Sequence, residues 1–269
     1  MGILLVGLGN MGSKYLKKLQ ELNLKPVVCD TDPRKAKFCK DFVFYRNIDD
    51  IKEAISHAIV AVNPENHVKI AKELLDRGIP VLLEKPPALS SEEFLKIADN
   101  PLLEISEIEL YSEVVKSFPF QINPREILIK RLNKGSGYIN PLWDLTWHDF
   151  YILQYLFGDI KLENVSKNQM VWEVKGKVKG EIPFTLKVAW NYPNGQVRKW
   201  IVKTDKEDIV MDFQREEITF GNFRKRRVYG DKLKEMLQDF LEGIRREGSR
   251  ERALKNLRLL ENLQIFAIN

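Results

Sequence analysis

The sequence predicts an α/β chain in two parts: an N-terminal parallel sheet interleaved with helices, then an α+β half with a large, mainly antiparallel sheet. Short apolar strands alternate with helical repeats from the first residues to about residue 110, the signature of stacked strand-helix-strand units. Beyond that point strand patterns follow one another with only turn signals between them, which implies antiparallel pairing. The chain has 269 residues, 44% of them hydrophobic and 30% charged. It is therefore globular in composition and long enough for two cores. The expected domains are residues 1–112 and 113–269.

Strands are expected at Ile3 to Val6, Lys25 to Cys29, Phe42 to Tyr45, Ala58 to Ala61, Val81 to Leu83 and Leu103 to Ile108. The helix Met11 to Glu21 aligns Tyr15, Leu19 and Leu22, and the helix His67 to Arg77 aligns Ile70, Leu74 and Leu75, each an apolar stripe at helical spacing. Gly78 ends the second of these as a left-handed cap, and Ser90 caps a third, with Glu93 placed to answer it. In the second half, strands are expected at Glu126 to Leu132, Gln169 to Val178, Glu181 to Trp190, Val197 to Thr204, Ile209 to Phe213 and Glu217 to Phe220. Helices are expected at Trp147 to Phe157, Lys232 to Arg246 and Arg250 to Ala267.

The chemistry begins at Gly7-Leu8-Gly9-Asn10-Met11-Gly12, which follows an apolar strand and opens a helix. The first Gly permits the tight turn, the second lets a pyrophosphate approach the backbone, and the third allows close packing, with the phosphates at the positive helix end. Asp30, eighteen residues after Gly12 and at the end of the second strand, is placed to accept hydrogen bonds from ribose hydroxyls. Its charge would repel a 2′-phosphate, so NAD is expected in preference to NADP, although Arg34 lies close by. The first half thus reads as a Rossmann-type dinucleotide-binding domain.

Two further segments carry a family resemblance. Ala61-Val62-Asn63-Pro64-Glu65-Asn66-His67 ends the fourth strand, and Glu84-Lys85-Pro86 ends the fifth. With the opening glycines, they resemble the glucose-fructose oxidoreductase and inositol dehydrogenase family, over residues 1 to about 110. The ends of parallel strands are where ligands collect in such sheets, which directs Lys85 to the cofactor crevice. Pro86-Pro87 fixes the backbone beyond it and admits a cis bond. The cofactor set implied is Gly7, Gly9, Asn10, Met11, Gly12, Asp30, Asn63, Pro64, His67, Glu84 and Lys85.

The other half carries Asp144-Leu145-Thr146-Trp147-His148, followed by Asp149. It resembles the family's D-x-G-x-H pattern, and the spacing puts Asp144 and His148 one turn apart on the same side of a helix. The chain departs from the pattern in having Thr146 for the Gly, a poor match at Tyr111 to Pro119, and a shortened segment before Asp144. Trp143, Trp147 and Tyr111 are either flat walls for a sugar ring or core.

The resemblance implies reversible hydride transfer between a nicotinamide and a hydroxyl-bearing carbon of a sugar, sugar derivative or cyclitol. His148 would be the general base, Lys85 would stabilise charge on the same oxygen, and Asp144 would bind a neighbouring hydroxyl. A sensor of the same fold without turnover, and an NAD-assisted glycoside-cleaving enzyme, stand as alternatives.

Bulk properties narrow the partners. The net charge of +5 is mostly interleaved with acidic residues; the one concentrated patch, Arg224-Lys225-Arg226-Arg227, reads as a solvated loop, so no nucleic-acid partner is expected. No apolar run is long enough to span a bilayer, and a start without a leader points to the cytoplasm. Cys29 and Cys39 are expected as free thiols, and no metal-ligand spacing occurs. A homodimer or homotetramer through the C-terminal sheet is expected, because helices can cover only one face.

Overall fold

The computed structural model describes residues 2–137, 139–226 and 230–268. They fall into two compact units: residues 1–106 with Leu233–Leu257, and Glu107–Lys232 with Arg258–Asn269. The sequence places the C-terminal helices with the second half, whereas packing assigns Leu233–Leu257 to the first. Leu233, Leu237, Phe240 and Leu257 are buried there, so the apolar stripe of a late segment completes an early core.

Unit 1 runs β1 (Ile3–Val6), α1 (Asn10–Glu21), β2 (Val27–Cys29), β3 (Phe44–Tyr45), β4 (His57–Val60), α2 (His67–Asp76), β5 (Val81–Leu83), α3 (Ser91–Ala98) and β6 (Leu103–Ile105). All pairs are parallel, in the order β3-β2-β1-β4-β5-β6. The order reverses between β1 and β4, the switch point at which such sheets open a crevice at their strand ends. Ile3, Leu4 and Leu5 are at most 1% exposed, as expected of a strand covered on both faces. The Ser90 cap is formed, its hydroxyl accepting the Glu93 N–H at 3.1 Å, and Gly78 takes φ +75° after α2. Cys29 and Cys39 are buried free thiols.

Unit 2 holds α4 (Glu113–Lys116), β7 (Pro124–Leu132), α5 (Pro141–Asp144), α6 (Thr146–Phe157), β8 (Ile160–Asn168), β9 (Val171–Val178), β10 (Ile182–Ala189), β11 (Val197–Thr204), β12 (Ile209–Asp212), β13 (Glu217–Phe220) and β14 (Phe223–Arg226). The chain ends with α7 (Lys232–Leu241) and α8 (Ser249–Ile268). The sheet order is β14-β13-β12-β11-β7-β10-β9-β8, antiparallel except where β7 pairs with β10 in parallel. Two strands escape the sequence reading. β8 is an edge strand with Val165 its one buried residue, so its pattern is too polar to register. The basic run expected as a loop begins on β14, and Arg227 lies outside the described residues.

One face of this sheet is apolar and the other is charged. On the inner face stand Ile127, Ile129, Trp200 and Val202, none more than 1% exposed. The outer face carries the ion pairs Lys187–Glu173, Lys177–Glu163, Lys199–Asp212 and Lys203–Glu126, around the partly exposed Leu128, Ile201 and Val210.

The inner face also holds buried charge. Arg131 of β7 donates Nε to Asp149 Oδ2 at 2.7 Å and Nη2 to Oδ1 at 3.1 Å, and Trp200 Nε1 adds a bond to Oδ1 at 2.8 Å. Arg131 Nη1 also faces Glu109 Oε1 at 3.7 Å. Lys232 bridges Glu109 at 2.9 Å and Glu216 at 2.7 Å, and the Ser112 hydroxyl donates to Glu216 at 2.6 Å. Burial alone would raise the Glu109 carboxyl, but the Lys232 and Arg131 charges outweigh it and hold it below the ordinary value.

Asp149→Ala removes the bidentate partner of buried Arg131 and leaves it only the longer Glu109 contact, and urea unfolding should record a loss of about 3–5 kcal/mol. Because the folded pKa of Glu109 is depressed, its contribution is full above the unfolded value of ~4.3 and is lost as pH falls through the folded one. Glu109→Gln should therefore flatten the acid limb of a stability-versus-pH curve.

Candidate functional site

The glycine turn is built as phosphate cradles are. Gly7 takes φ +93°, and an added Cβ there would meet the Ala61 carbonyl oxygen at 2.6 Å. A Cβ on Gly12 would run into the Gly7 carbonyl oxygen, so the third glycine is required by the turn itself. A Cβ on Gly9 would meet no atom within 4 Å, which leaves its surface open to a ligand. Gly9 is the N-cap of α1, with no side-chain cap and no acidic residue in the first turn. The first N–H groups of this helix are therefore left for an anion. These residues fit the pyrophosphate of a dinucleotide.

Asp30, at the end of β2, accepts the Leu8 N–H at 2.6 Å and the Asp32 N–H at 2.9 Å. It is tied to the glycine turn and remains partly exposed. Arg34 is committed to Asp32, with Nε 2.9 Å from Oδ1.

The two resembling loops are joined by His67. Only 1% exposed, it has Nδ1 2.8 Å from the Pro86 carbonyl oxygen and Nε2 3.0 Å from that of Val62. Burial pushes its pKa below the ordinary value against the pull of both carbonyls and Glu84. The ring thus braces the ends of β4 and β5 from inside. Glu84 is likewise interior at 5% exposure: Oε1 accepts the Tyr15 hydroxyl at 2.5 Å and the Ser106 hydroxyl at 3.0 Å, and Oε2 accepts the Lys85 N–H at 3.1 Å. Burial, then the Glu84 charge, raises the Tyr15 phenol well above its usual range. The Lys85-Pro86 bond is cis.

Residues expected on the cofactor side therefore divide. Gly9, Asn10 and Asn63 are exposed, and Met11, Asp30 and Lys85 are partly so; Gly7, Gly12, Pro64, His67 and Glu84 are buried. The buried side chains hold the shape that the exposed groups present. Tyr15 and Ser106 belong to this support, and sequence reading placed Tyr15 only on an apolar stripe.

In unit 2, Asp144 ends α5 and His148 lies in the first turn of α6, with Leu145 between them still helical. From Leu142 to Gln154 every residue is buried except Asp144 and His148. These two reach outward at helical spacing from a segment otherwise packed on all sides. Thr146, standing where the family pattern has Gly, is fully buried and donates its hydroxyl to the Leu142 carbonyl, so the departure is absorbed within the helix. Tyr111, Trp143 and Trp147 are buried too, which makes them core.

His148 has a partner that the sequence did not single out. Its Nδ1 lies 3.2 Å from the Tyr151 hydroxyl oxygen, which accepts the Glu109 N–H at 2.9 Å. Tyr151 is 1% exposed. Burial first and the Glu109 charge second push its phenol well above the usual range. The spacing of three residues was there to be read, but a Tyr among Phe150, Ile152 and Leu153 reads as core. Among the described residues no group of three or more His, Cys, Asp or Glu is placed to hold a metal ion. No described helix is long and apolar enough to cross a membrane.

Residues 1–100 match the model of an oxidoreductase family with an NAD-binding Rossmann fold. The rhizopine catabolism protein MocA of Rhizobium meliloti is 30% identical over 101 residues, 35% of this chain and 32% of that protein. The matched stretch thus spans about a third of that curated relative.

Solved structures match over nearly the whole chain. UDP-N-acetylglucosamine 3-dehydrogenase GnnA from Acidithiobacillus ferrooxidans has a TM-score of 0.86 at 16% identity, covering 99% of this chain and 97% of its own. A myo-inositol dehydrogenase from Corynebacterium glutamicum reaches 0.81 at 15%, covering 99% and 96%. Levoglucosan dehydrogenase in complex with NADH reaches 0.83 at 13%, covering 100% and 97%. At such identities the likeness is one of fold. The N-terminal segment, with its open glycine cradle and the Glu84-Lys85-Pro86 turn, is thus similar over residues 1–100 to the NAD-binding Rossmann domain of that oxidoreductase family.

Proposed function

We propose that the chain is an NAD-dependent dehydrogenase acting on a secondary hydroxyl of a sugar, sugar derivative or cyclitol, with Lys85, His148 and Asp144 as its catalytic residues. The observation that carries this reading is that Asp144 and His148 alone emerge from an otherwise buried helical segment. Relatives of the same fold that act on an amino-sugar nucleotide, an inositol and an anhydrosugar lend it support.

A bound nicotinamide supplies or accepts the hydride, which is the cofactor's own chemistry. The protein handles the proton and the charge. To take a hydroxyl proton, His148 needs its lone pair on Nε2, so Nδ1 must carry the hydrogen and donate it. Tyr151 provides the acceptor: its oxygen has two lone pairs, one used by the Glu109 N–H. Lys85, its backbone fixed by Glu84, stabilises developing negative charge on the reacting oxygen. Asp144 holds a neighbouring hydroxyl. The Asp30 carboxylate, partly exposed beside the turn, disfavours a 2′-phosphate and makes NAD the preferred cofactor over NADP. The outer face of the unit 2 sheet is the surface through which two or four copies would pair.

Gly9→Ala should leave thermal stability nearly unchanged yet weaken NADH binding about 10-fold or more, because its Cβ meets nothing in the protein. Gly12→Ala should cost about 1–3 kcal/mol in unfolding through its clash with the Gly7 carbonyl. Lys85→Met and His148→Asn should each lower kcat by roughly 10²–10⁴, and His148→Asn should leave the NADH titration by fluorescence as before. Tyr151→Phe should move the pH profile of kcat/KM with little change in NADH affinity. Tight NADH binding with no turnover on any polyol would turn the reading toward a ligand sensor. Light scattering should find a dimer or tetramer, with Ile201→Asp lowering the mass.

A further inference from the structure

Arg198 has no assigned role, and its surroundings are unusual. It stands on β11 directly opposite Arg131 of β7, and the alternation of a strand puts it on the inner face with Trp200 and Val202. The two arginines are treated differently. Arg131 spends its donors on Asp149 and faces Glu109, whereas the Arg198 Nε is buried without a partner. No nitrogen of its guanidinium has a hydrogen-bond or ion-pair partner among the described residues.

An arginine with only a structural task would sit on a carboxylate, and three are buried in this cluster. All three are engaged elsewhere: Asp149 by Arg131 and Trp200, Glu109 by Lys232 and Arg131, Glu216 by Lys232 and Ser112. The Glu109, Asp149 and Asp144 charges act on Arg198 against burial and the Arg131 charge, which explains why a cation is tolerated there. Balance of charge does not satisfy its planar fork of N–H donors, whose natural complement is a bidentate oxyanion.

A second unpartnered group lies beside it. Asn133 continues the β7 ladder, its N–H on the Ala189 carbonyl and its own carbonyl accepting from Tyr192, both at 2.9 Å. Two residues beyond Arg131, it shares the inner face and is the diagonal neighbour of Arg198. Its carboxamide oxygen is buried with no partner. Asp144 is close enough that its charge acts on Arg198, together with those of Glu109 and Asp149, against burial and the Arg131 charge. Arg198 thus feels the carboxylate proposed to hold a substrate hydroxyl, and Asn133 is its neighbour on the sheet.

We propose that the substrate is a polyol bearing an oxyanion, a carboxylate or a phosphate, and that Arg198 binds this group while the buried Asn133 oxygen, an acceptor, takes a neighbouring hydroxyl of the same molecule. This rests on the dehydrogenase reading and narrows its substrate class to sugar acids or sugar phosphates.

The experiment compares D-gluconate, D-glucose 6-phosphate and the neutral D-glucose and myo-inositol on the full chain with NAD. Both turnover and calorimetric binding to the NADH-loaded protein are read. At least one anionic compound should exceed the neutral ones in kcat/KM by about 100-fold, and which of the two does so tells carboxylate from phosphate. Arg198→Met should bring that ratio toward one, chiefly through KM, and Arg198→Lys should recover part of it; NADH affinity and the melting temperature check that both variants are folded. Turnover with no preference for either anion, or a preference that survives Arg198→Met, overturns the inference and leaves the dehydrogenase standing. If no compound turns over, the dehydrogenase reading fails, and calorimetry still decides: anion binding lost in Arg198→Met upholds the subsite, and no anion binding by the unmutated protein refutes it.

Discussion

A carboxylate taken out of water must be answered by donors on the protein, because an unanswered buried charge costs more than most folds can spare. Each unit is organised around one such group. In unit 1, Glu84 gathers the hydroxyl of Tyr15 from α1, the hydroxyl of Ser106 beyond β6 and the N–H of Lys85. In unit 2, Asp149 gathers Arg131 from the central strand β7 and Trp200 from β11. Glu84 immediately precedes Lys85, and Asp149 immediately follows His148. The anchored residue and the partly exposed one are chain neighbours in both cases, so the backbone of each proposed catalytic residue lies beside a buried polar network.

The same logic separates the exposed groups of the proposed site from the supporting ones. His67 and Glu84 are in the motif that marks the cofactor side, yet both are spent within the protein. What they produce is the placement of two loops at the ends of β4 and β5, beside a glycine turn whose middle member is open. On α6 the division recurs within a single turn: His148 reaches outward, and Tyr151, three residues on, receives it from the interior. Rigid support behind an exposed reactive group is what precise placement requires.

The sheet of unit 2 illustrates how burial sorts charge. Its outer face pairs lysines with glutamates and aspartates in positions where solvent screens them, and such pairs contribute little each. Its inner face holds Arg131 and Glu109 out of water, where each needs its partners, and the partly exposed Lys232 reaches in to Glu109. Arg198 shares that face with its Nε buried and unpartnered.

The sequence by itself determined the parts whose signals are local. Gly7, Gly9 and Gly12 at fixed offsets from an apolar strand, the strand-helix alternation, the Ser90 cap and the one-turn spacing of Asp144 and His148 are all short-range patterns, and short-range geometry follows from backbone sterics and helical periodicity. Tertiary structure decided what depends on partners distant in the chain. That Glu84 faces inward was settled by Tyr15 and Ser106, 69 and 22 residues away. The role of Tyr151 was set by an N–H 42 residues upstream. β8 became a strand because β9 offered it an edge, and Leu233–Leu257 joined the first unit because its core still had apolar surface to cover. A side chain's periodicity states which face it lies on; only the folded chain supplies the donors and acceptors that decide whether it is spent there or left free to act.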